Sequence, residues 1–274
     1  MVQPRIIFLG TAGDSFTYGK QQRASGGIII QAEDCQFHID PGPGALVRAM
    51  EADISIRNNT AILASHNHVN HCNDINAVIA AMTHNGLDRQ GVLIAAKSVF
   101  EATETTQPTL SSFHKHCLER FIMVDPGKRV GIEEIEIRAI TAFHNDPHTV
   151  GFKFFTPKFT LTYSSDTRFQ KELIDEYDKS DILILNTVYP RGAKEDMLSS
   201  DDVVNILEKT EPELTILTHF GIKMLNADPL SEARDIQKKT KSQVIAAKEG
   251  MVVNPLSYSA TLKQKTLNLY QEKS

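Results

Sequence analysis

Ser65-His66-Asn67-His68-Val69-Asn70-His71-Cys72 decides how this chain is read. It follows the apolar run Ala61-Ile62-Leu63-Ala64 and precedes a segment in which Ile75, Val78, Ile79 and Met82 recur at i, i+3, i+4 and i+7. That spacing puts one apolar stripe on a helix, so the cluster sits at a strand–loop–helix junction. His66 and His68 straddle one residue, and on an extended turn both imidazoles point to one side. His71 opens the helix and reaches a neighbouring position. Three histidines packed this closely after a strand have the spacing of metal ligands. Isolated histidines such as His38, His84, His114 and His116 are read instead as surface or satisfied core residues.

Further along the chain, three more strand-like runs end in a residue able to bind metal. His144 follows the run at 135–143, Asp166 follows Phe159–Tyr163, and His219 follows Leu214–Leu217. In open α/β sheets, ligands gather outside the carboxyl ends of strands, where loops meet. All of these residues are therefore expected in one cleft. Neutral imidazole with carboxylate suits zinc, one or two ions, with manganese or iron as alternatives, rather than calcium.

Other β-rich runs are Ile28–Ile30, Val92–Ala95, Ile182–Leu185 and Val244–Ala247. Phe169, Leu173 and Tyr177 predict a second helix. Ser200 reads as the N-cap of a third, with Val203, Val204 and Leu207 on its core face, and Pro229 opens a fourth that runs toward Lys239. A strand-rich early chain followed by alternating strands and helices predicts a layered α/β (α+β) architecture. No low-complexity linker divides it, so residues 1–274 are expected to form one domain. After Asn254 a strand and a loose polar tail are expected.

With 274 residues, 41% of them hydrophobic, the chain can bury a sizeable core. A formal charge of −5 and a pI near 6.1 give no general attraction to phosphate backbones, which disfavours large nucleic acids. The first ten residues hold only a short apolar run, Ile6 to Leu9, and no stretch approaches membrane-spanning length. A cytoplasmic protein with no membrane partner is expected. Cys35, Cys72 and Cys117 are odd in number and widely spaced, as suits reduced thiols. There is no Cys-x-x-Cys pair, Rossmann glycine fingerprint or Walker loop, and Gly42-Pro43-Gly44 reads as a turn.

Phe8-Leu9-Gly10-Thr11-Ala12-Gly13 and His38-Ile39-Asp40-Pro41-Gly42, with Asp-x-Gly ending a strand, resemble the opening of the metallo-β-lactamase superfamily. Ser65 to His71 matches His-x-His-x-Asp-His except at one position. Tyr163-Ser164-Ser165-Asp166-Thr167 resembles the bridging-aspartate motif, and Thr218-His219-Phe220-Gly221 the last histidine. The chain thus looks like the ribonuclease Z-like branch of archaeal and bacterial metal-dependent hydrolases, and the resemblance covers nearly all of it. It implies a four-layer αββα sandwich of two ββαββα-like halves.

Carried over by position, His66, His68 and His144 would hold a first metal, His71 and His219 a second, and Asp166 would bridge both. His148 is an alternative third ligand or a substrate contact, but the spacing to Gly151 favours His144. Asp40 would support the ligands from behind, unless it is an ordinary turn carboxylate. One position departs from the pattern: Asn70 stands where the family has aspartate. An amide offers a neutral oxygen and is no useful base, so the second site is expected to be weaker. Asp74, four residues on, could compensate from the same helical face, or simply be a carboxylate at a helix start. Cys72 is either a soft ligand or a small buried residue.

The resemblance implies metal-dependent hydrolysis of phosphodiester or ester bonds by metal-activated water, with Asp166 or His148 taking the proton in place of Asn70. The expected substrate is a small molecule or nucleotide. Transfer-RNA 3′ processing is less favoured, because 99–129 is neither long nor glycine-rich and His114-Lys115-His116 and Lys128-Arg129 are the only basic clusters near it. A second class stays open: a metal- or ligand-binding protein on the same fold without efficient turnover. Asn70 motivates it, as does Met197 where related proteins often place histidine before Leu198-Ser199. A twofold homodimer is the default assembly.

Overall fold

The computed structural model describes residues 3–103, 106–193, 196–240 and 242–259. Among them, fourteen strands form two seven-stranded sheets. The first contains β1 (Arg5–Gly10), β2 (Ser25–Ala32), β3 (Cys35–Ile39), β4 (Ala61–Ala64), β5 (Val92–Ala96) and β6 (Arg120–Val124). The second contains β7 (Arg129–Ile132), β8 (Ile135–Thr141), β9 (Val150–Phe155), β10 (Thr160–Tyr163), β11 (Ile182–Asn186), β12 (Leu214–Thr218) and β13 (Val244–Ala246). The last strand, β14 (Val252–Val253), returns to the first sheet and pairs with β1. Within each sheet the strands otherwise lie side by side in chain order.

Alternation of side chains explains the layering. Ile6, Phe8, Phe37 and Leu63 from the first sheet meet Phe152, Phe154, Leu161, Ile184 and Ile216 from the second in one core between the sheets. The intervening residues Ile7, Leu9, Ile62 and Ala64 face outward, under the helix Ile75–Thr83 with its Ile75, Val78, Ile79 and Met82. On the far side Leu183, Leu185 and Leu217 pack beneath the helices Ser200–Thr210 and Pro229–Thr240. Helix, sheet, sheet, helix is the four-layer αββα sandwich expected of the sequence. Strands covered on both faces must be apolar at every position, which is why they read as unbroken hydrophobic runs.

Three local expectations change. The N-cap of Ser200–Thr210 is Ser199, one residue earlier: its side chain accepts from the Asp202 amide while Asp202 accepts from the Ser199 amide, a reciprocal capping box. The helix expected from Phe169 spans only Leu173–Tyr177. Pro255–Tyr258 forms a 3-10 turn capped by Asn254 where a strand was expected, and the tail after Ser259 lies outside the described residues.

This topology brings particular strand ends together. β3, β4 and β5 are mutually parallel, as are β10, β11 and β12. β8 is antiparallel to β9, and β9 to β10, so β8 ends on the same edge as β10. Asp40, Ser65-His66, the loop to His144, Asp166 and His219 therefore all follow strands at one edge of the sandwich. No helix among the described residues is long and apolar enough to cross a membrane.

Candidate metal centre

Side chains from that edge converge in two groups. In one, His66, His68, His144 and Asp166 offer ligand atoms within 4.8 Å of one another; in the other, His71, Asp166 and His219 do the same. Asp166 belongs to both. Its Oδ2 lies 3.2 Å from His71 Nε2 and 4.0 Å from both His66 Nε2 and His144 Nε2, while its Oδ1 lies 3.1 Å from His219 Nε2.

The donor chemistry can be tested for fit to a metal. His66 Nε2 and His144 Nε2 lie 3.0 and 3.1 Å from the same atom, His68 Nδ1. That nitrogen carries either one proton or one lone pair and cannot satisfy both neighbours well. A cation among the three nitrogens resolves the conflict, since each then turns a lone pair toward it. Burial, with the repulsion of neighbouring imidazoles, holds His66 and His68 neutral by pushing their pKa values below the ordinary range. Burial lowers His144 in the same way, to about 4. Neutral imidazole is the form that ligates, so the set fits a divalent transition metal.

His71 differs. Burial alone would lower its pKa, but Asp166 on one ring nitrogen and Asp40 on the other outweigh it and raise the group to about 10. Burial would raise Asp166, yet His219 and His71 hold it well below the usual carboxylate range. Without metal, a proton on His71 sits between Asp166 and Asp40 and offsets part of their buried charge, a role that a dication can take over.

Behind the ligand atoms lies a buried hydrogen-bond network. Asp40 Oδ2 faces His71 Nδ1 at 2.9 Å and accepts from the Tyr163 hydroxyl and Ser65 Oγ, both at 2.7 Å. Asp40 Oδ1 accepts from the Ser65 amide, and Ser65 Oγ lies 3.0 Å from His66 Nδ1. One carboxylate thus orients imidazoles of both groups. Asn186, at the end of β11, donates through Nδ2 to Asp166 Oδ1 at 2.7 Å and to the Tyr163 hydroxyl at 3.2 Å. Sequence reasoning did not find Asn186. Its one signal, a polar residue closing an apolar strand, is the signal that pointed to His219.

Asn70 Nδ2 lies 3.2 Å from His219 Nε2, at the rim of the second group. Its backbone is pressed against Gly42, where a β-carbon would fall 2.1 Å from the Asn70 carbonyl oxygen. Gly42 is thus a close-approach residue as well as part of a turn. Asp74 does not support the site. Its Oδ2 accepts from the amides of Gly44 and Ala45 at 2.9 and 3.0 Å, satisfying the open N-terminus of the helix Ala45–Glu51. The carboxylate meets unpaired amides before it can reach a metal.

His148 stays outside both groups and lines a cleft beside His68. Cys72 is buried, its thiol pushed up to about 12 by burial, with Sγ against the His68 carbonyl and the Thr109 hydroxyl, so it is a packing residue. All three cysteines are free and buried. His38 is a buried strand residue whose Nε2 faces the Gly26 carbonyl at 2.8 Å.

The chain is similar to known proteins in sequence and in fold. The model of the beta-lactamase superfamily domain matches residues 36–220, from within β3 to just past His219. An uncharacterized protein of Methanocaldococcus jannaschii is 35% identical over 256 residues, covering 92% of this chain and 95% of its own. A ribonuclease Z of Methanopyrus kandleri is 27% identical over 151 residues, 55% of this chain and 50% of its own. Among solved structures, the metallo-beta-lactamase fold protein YhfI of Bacillus subtilis is similar with a TM-score of 0.75 and 17% identity, over 92% of this chain and 99% of that one. Matched by the family model over more than half its length, the chain belongs to the beta-lactamase superfamily, with a fold shared by metal-dependent hydrolases.

Proposed function

We propose that this chain, folded as one domain, is a metal-dependent hydrolase of phosphodiester or ester bonds. The observation that carries the proposal is Asp166, which belongs to both groups: its Oδ2 faces His66 and His144 of the first and His71 of the second, and its Oδ1 faces His219. His66, His68 and His144 would hold a first ion, zinc before manganese or iron, and His71 and His219 would help hold a second. When bound, such ions supply Lewis-acid polarisation of the scissile group and make water nucleophilic near neutral pH. Asp166 orients the water and accepts its proton. Asn70, a neutral amide, does not serve as base. His148, in the cleft beside His68, carries the proton onward to the leaving group. The kinship with a ribonuclease Z supports phosphodiester chemistry ahead of carboxylic esters.

Asn70 also favours a second reading, in which metal is held but turnover is inefficient. Counting ions per chain and assaying bis(p-nitrophenyl) phosphate and p-nitrophenyl esters separates the two. The hydrolase reading expects turnover that chelation abolishes and zinc or manganese restores. No turnover at full metal loading overturns it in favour of binding.

Asn186 is proposed to position Asp166. Asn186→Leu keeps the branched shape but removes the donor, and metal retention is expected to weaken by roughly tenfold to a hundredfold. Competition with a chelator measures this, and unchanged retention would show that Asn186 only fills space.

A further inference from the structure

The cleft beside His68 has a volume of about 910 Å3, and Thr103, Thr106, Asn145, Asp146 and His148 contribute to its walls. That is large enough for a nucleoside or sugar in addition to a scissile group. Both walls are tied to the histidine motif through its middle residue. Asn67 Nδ2 donates to the Gln107 carbonyl at 2.7 Å, and Asn67 Oδ1 accepts from the Thr109 hydroxyl. The Asn67 amide in turn faces Asp146 Oδ2 at 3.4 Å, while Asp146 Oδ1 accepts from the His148 amide at 2.9 Å. The carboxylate is therefore held at a fixed place next to the first group of ligands. Among the described residues, Oδ2 makes only that one long contact and retains accepting capacity.

The charge of the cleft is one-sided. Among the described residues that line it there is no lysine or arginine, and Asp146 is the one carboxylate. A second phosphate placed against Asp146, away from the scissile group, would meet this charge with no lysine or arginine of the described lining to offset it, whereas a hydroxyl or amine would find an acceptor. Resting on the phosphodiester reading above, we propose that the substrate carries its one negative charge at the scissile diester and presents to the cleft an uncharged, hydroxyl-rich group. Asp146 is the residue that selects against a further phosphate.

The test compares kcat/KM of the metal-loaded protein for thymidine 5′-(p-nitrophenyl phosphate) and for the same compound carrying a 3′-phosphate. The wild type prefers the 3′-hydroxyl compound by roughly tenfold or more, the scale of one unscreened like-charge contact. Asp146→Asn moves that ratio toward one. Asn145→Lys, at an exposed neighbouring position, moves it the same way by adding a cation and keeps the test open if Asp146→Asn folds poorly. Metal content is measured for each protein, so a loss of ions is not mistaken for a change in selectivity. The inference is overturned if the wild type shows no preference, or if both variants keep the wild-type ratio at equal metal content. Cleavage of bis(p-nitrophenyl) phosphate without such a preference sinks the selectivity and leaves the hydrolase intact. If nothing is cleaved, the hydrolase reading falls. Calorimetry then decides selectivity, with thymidine 5′-phosphate expected to bind more tightly than thymidine 3′,5′-bisphosphate and equal or reversed binding refuting it.

Discussion

Asp166→Ala abolishes metal-dependent hydrolysis, with a loss of roughly a thousandfold or more, because one side chain serves both groups of imidazoles and accepts the proton. Its Oδ2 lies 4.0 Å from His66 Nε2 and His144 Nε2 and 3.2 Å from His71 Nε2, and its Oδ1 lies 3.1 Å from His219 Nε2, so the substitution removes a donor from both groups at once. Metal content per chain falls together with the rate. The fold survives, since Asp166 follows β10 at the sheet edge and belongs to none of the three hydrophobic cores. Circular dichroism should therefore match the wild type while metal analysis does not. Two ions retained, with a rate within tenfold of wild type, would remove Asp166 from the centre of the mechanism.

How far the sequence is legible depends on what each residue packs against. Ile182–Asn186 and Leu214–Thr218 lie between layers, every position is buried and all but Thr215 are apolar or strand-ending, and the runs Ile182–Leu185 and Leu214–Leu217 were expected as strands. Arg129–Ile132 lies at a sheet edge with exposed and half-exposed positions, so no long hydrophobic run announces it; Arg120–Val124, at the edge of the other sheet, carries the apolar run Phe121–Val124 but was not expected as a strand. The same division holds at the site. The histidine cluster is local and carries its own spacing. Asn186 and Tyr163 act through partners 20 and 123 residues away, and no periodicity records such a bond. Asp74 shows the opposite error: helical spacing placed it near Asn70, but two amides of another helix claim its carboxylate.

Asn70→Asp strengthens the second site. The amide sits 3.2 Å from His219 Nε2, so an aspartate there adds a full charge beside the ion that His71, His219 and Asp166 are proposed to hold. At the effective dielectric of a partly buried site, opposite charges at contact attract by several kcal/mol. After desolvation of the new carboxylate, an affinity gain of roughly tenfold to a hundredfold remains. Titration of the stripped protein with zinc or manganese reads this as a tighter second equivalent, with the first unchanged. If turnover rises with it, the neutral amide is what limits the natural enzyme. If both equivalents bind as before, the second ion does not depend on this position.

The two halves of the centre are far apart along the chain: Asn70 meets His219 across 149 residues, and His71 meets Asp166 across 95. Contacts of such separation form late in folding, after the loops between them have closed. An emerging polypeptide thus has three histidines available early, gains the first group only when His144 and Asp166 dock, and lacks the complete pair of groups until β12 delivers His219. Metal capture with full affinity then becomes a checkpoint on assembly rather than its seed, and a chain whose second sheet is misregistered would remain unloaded.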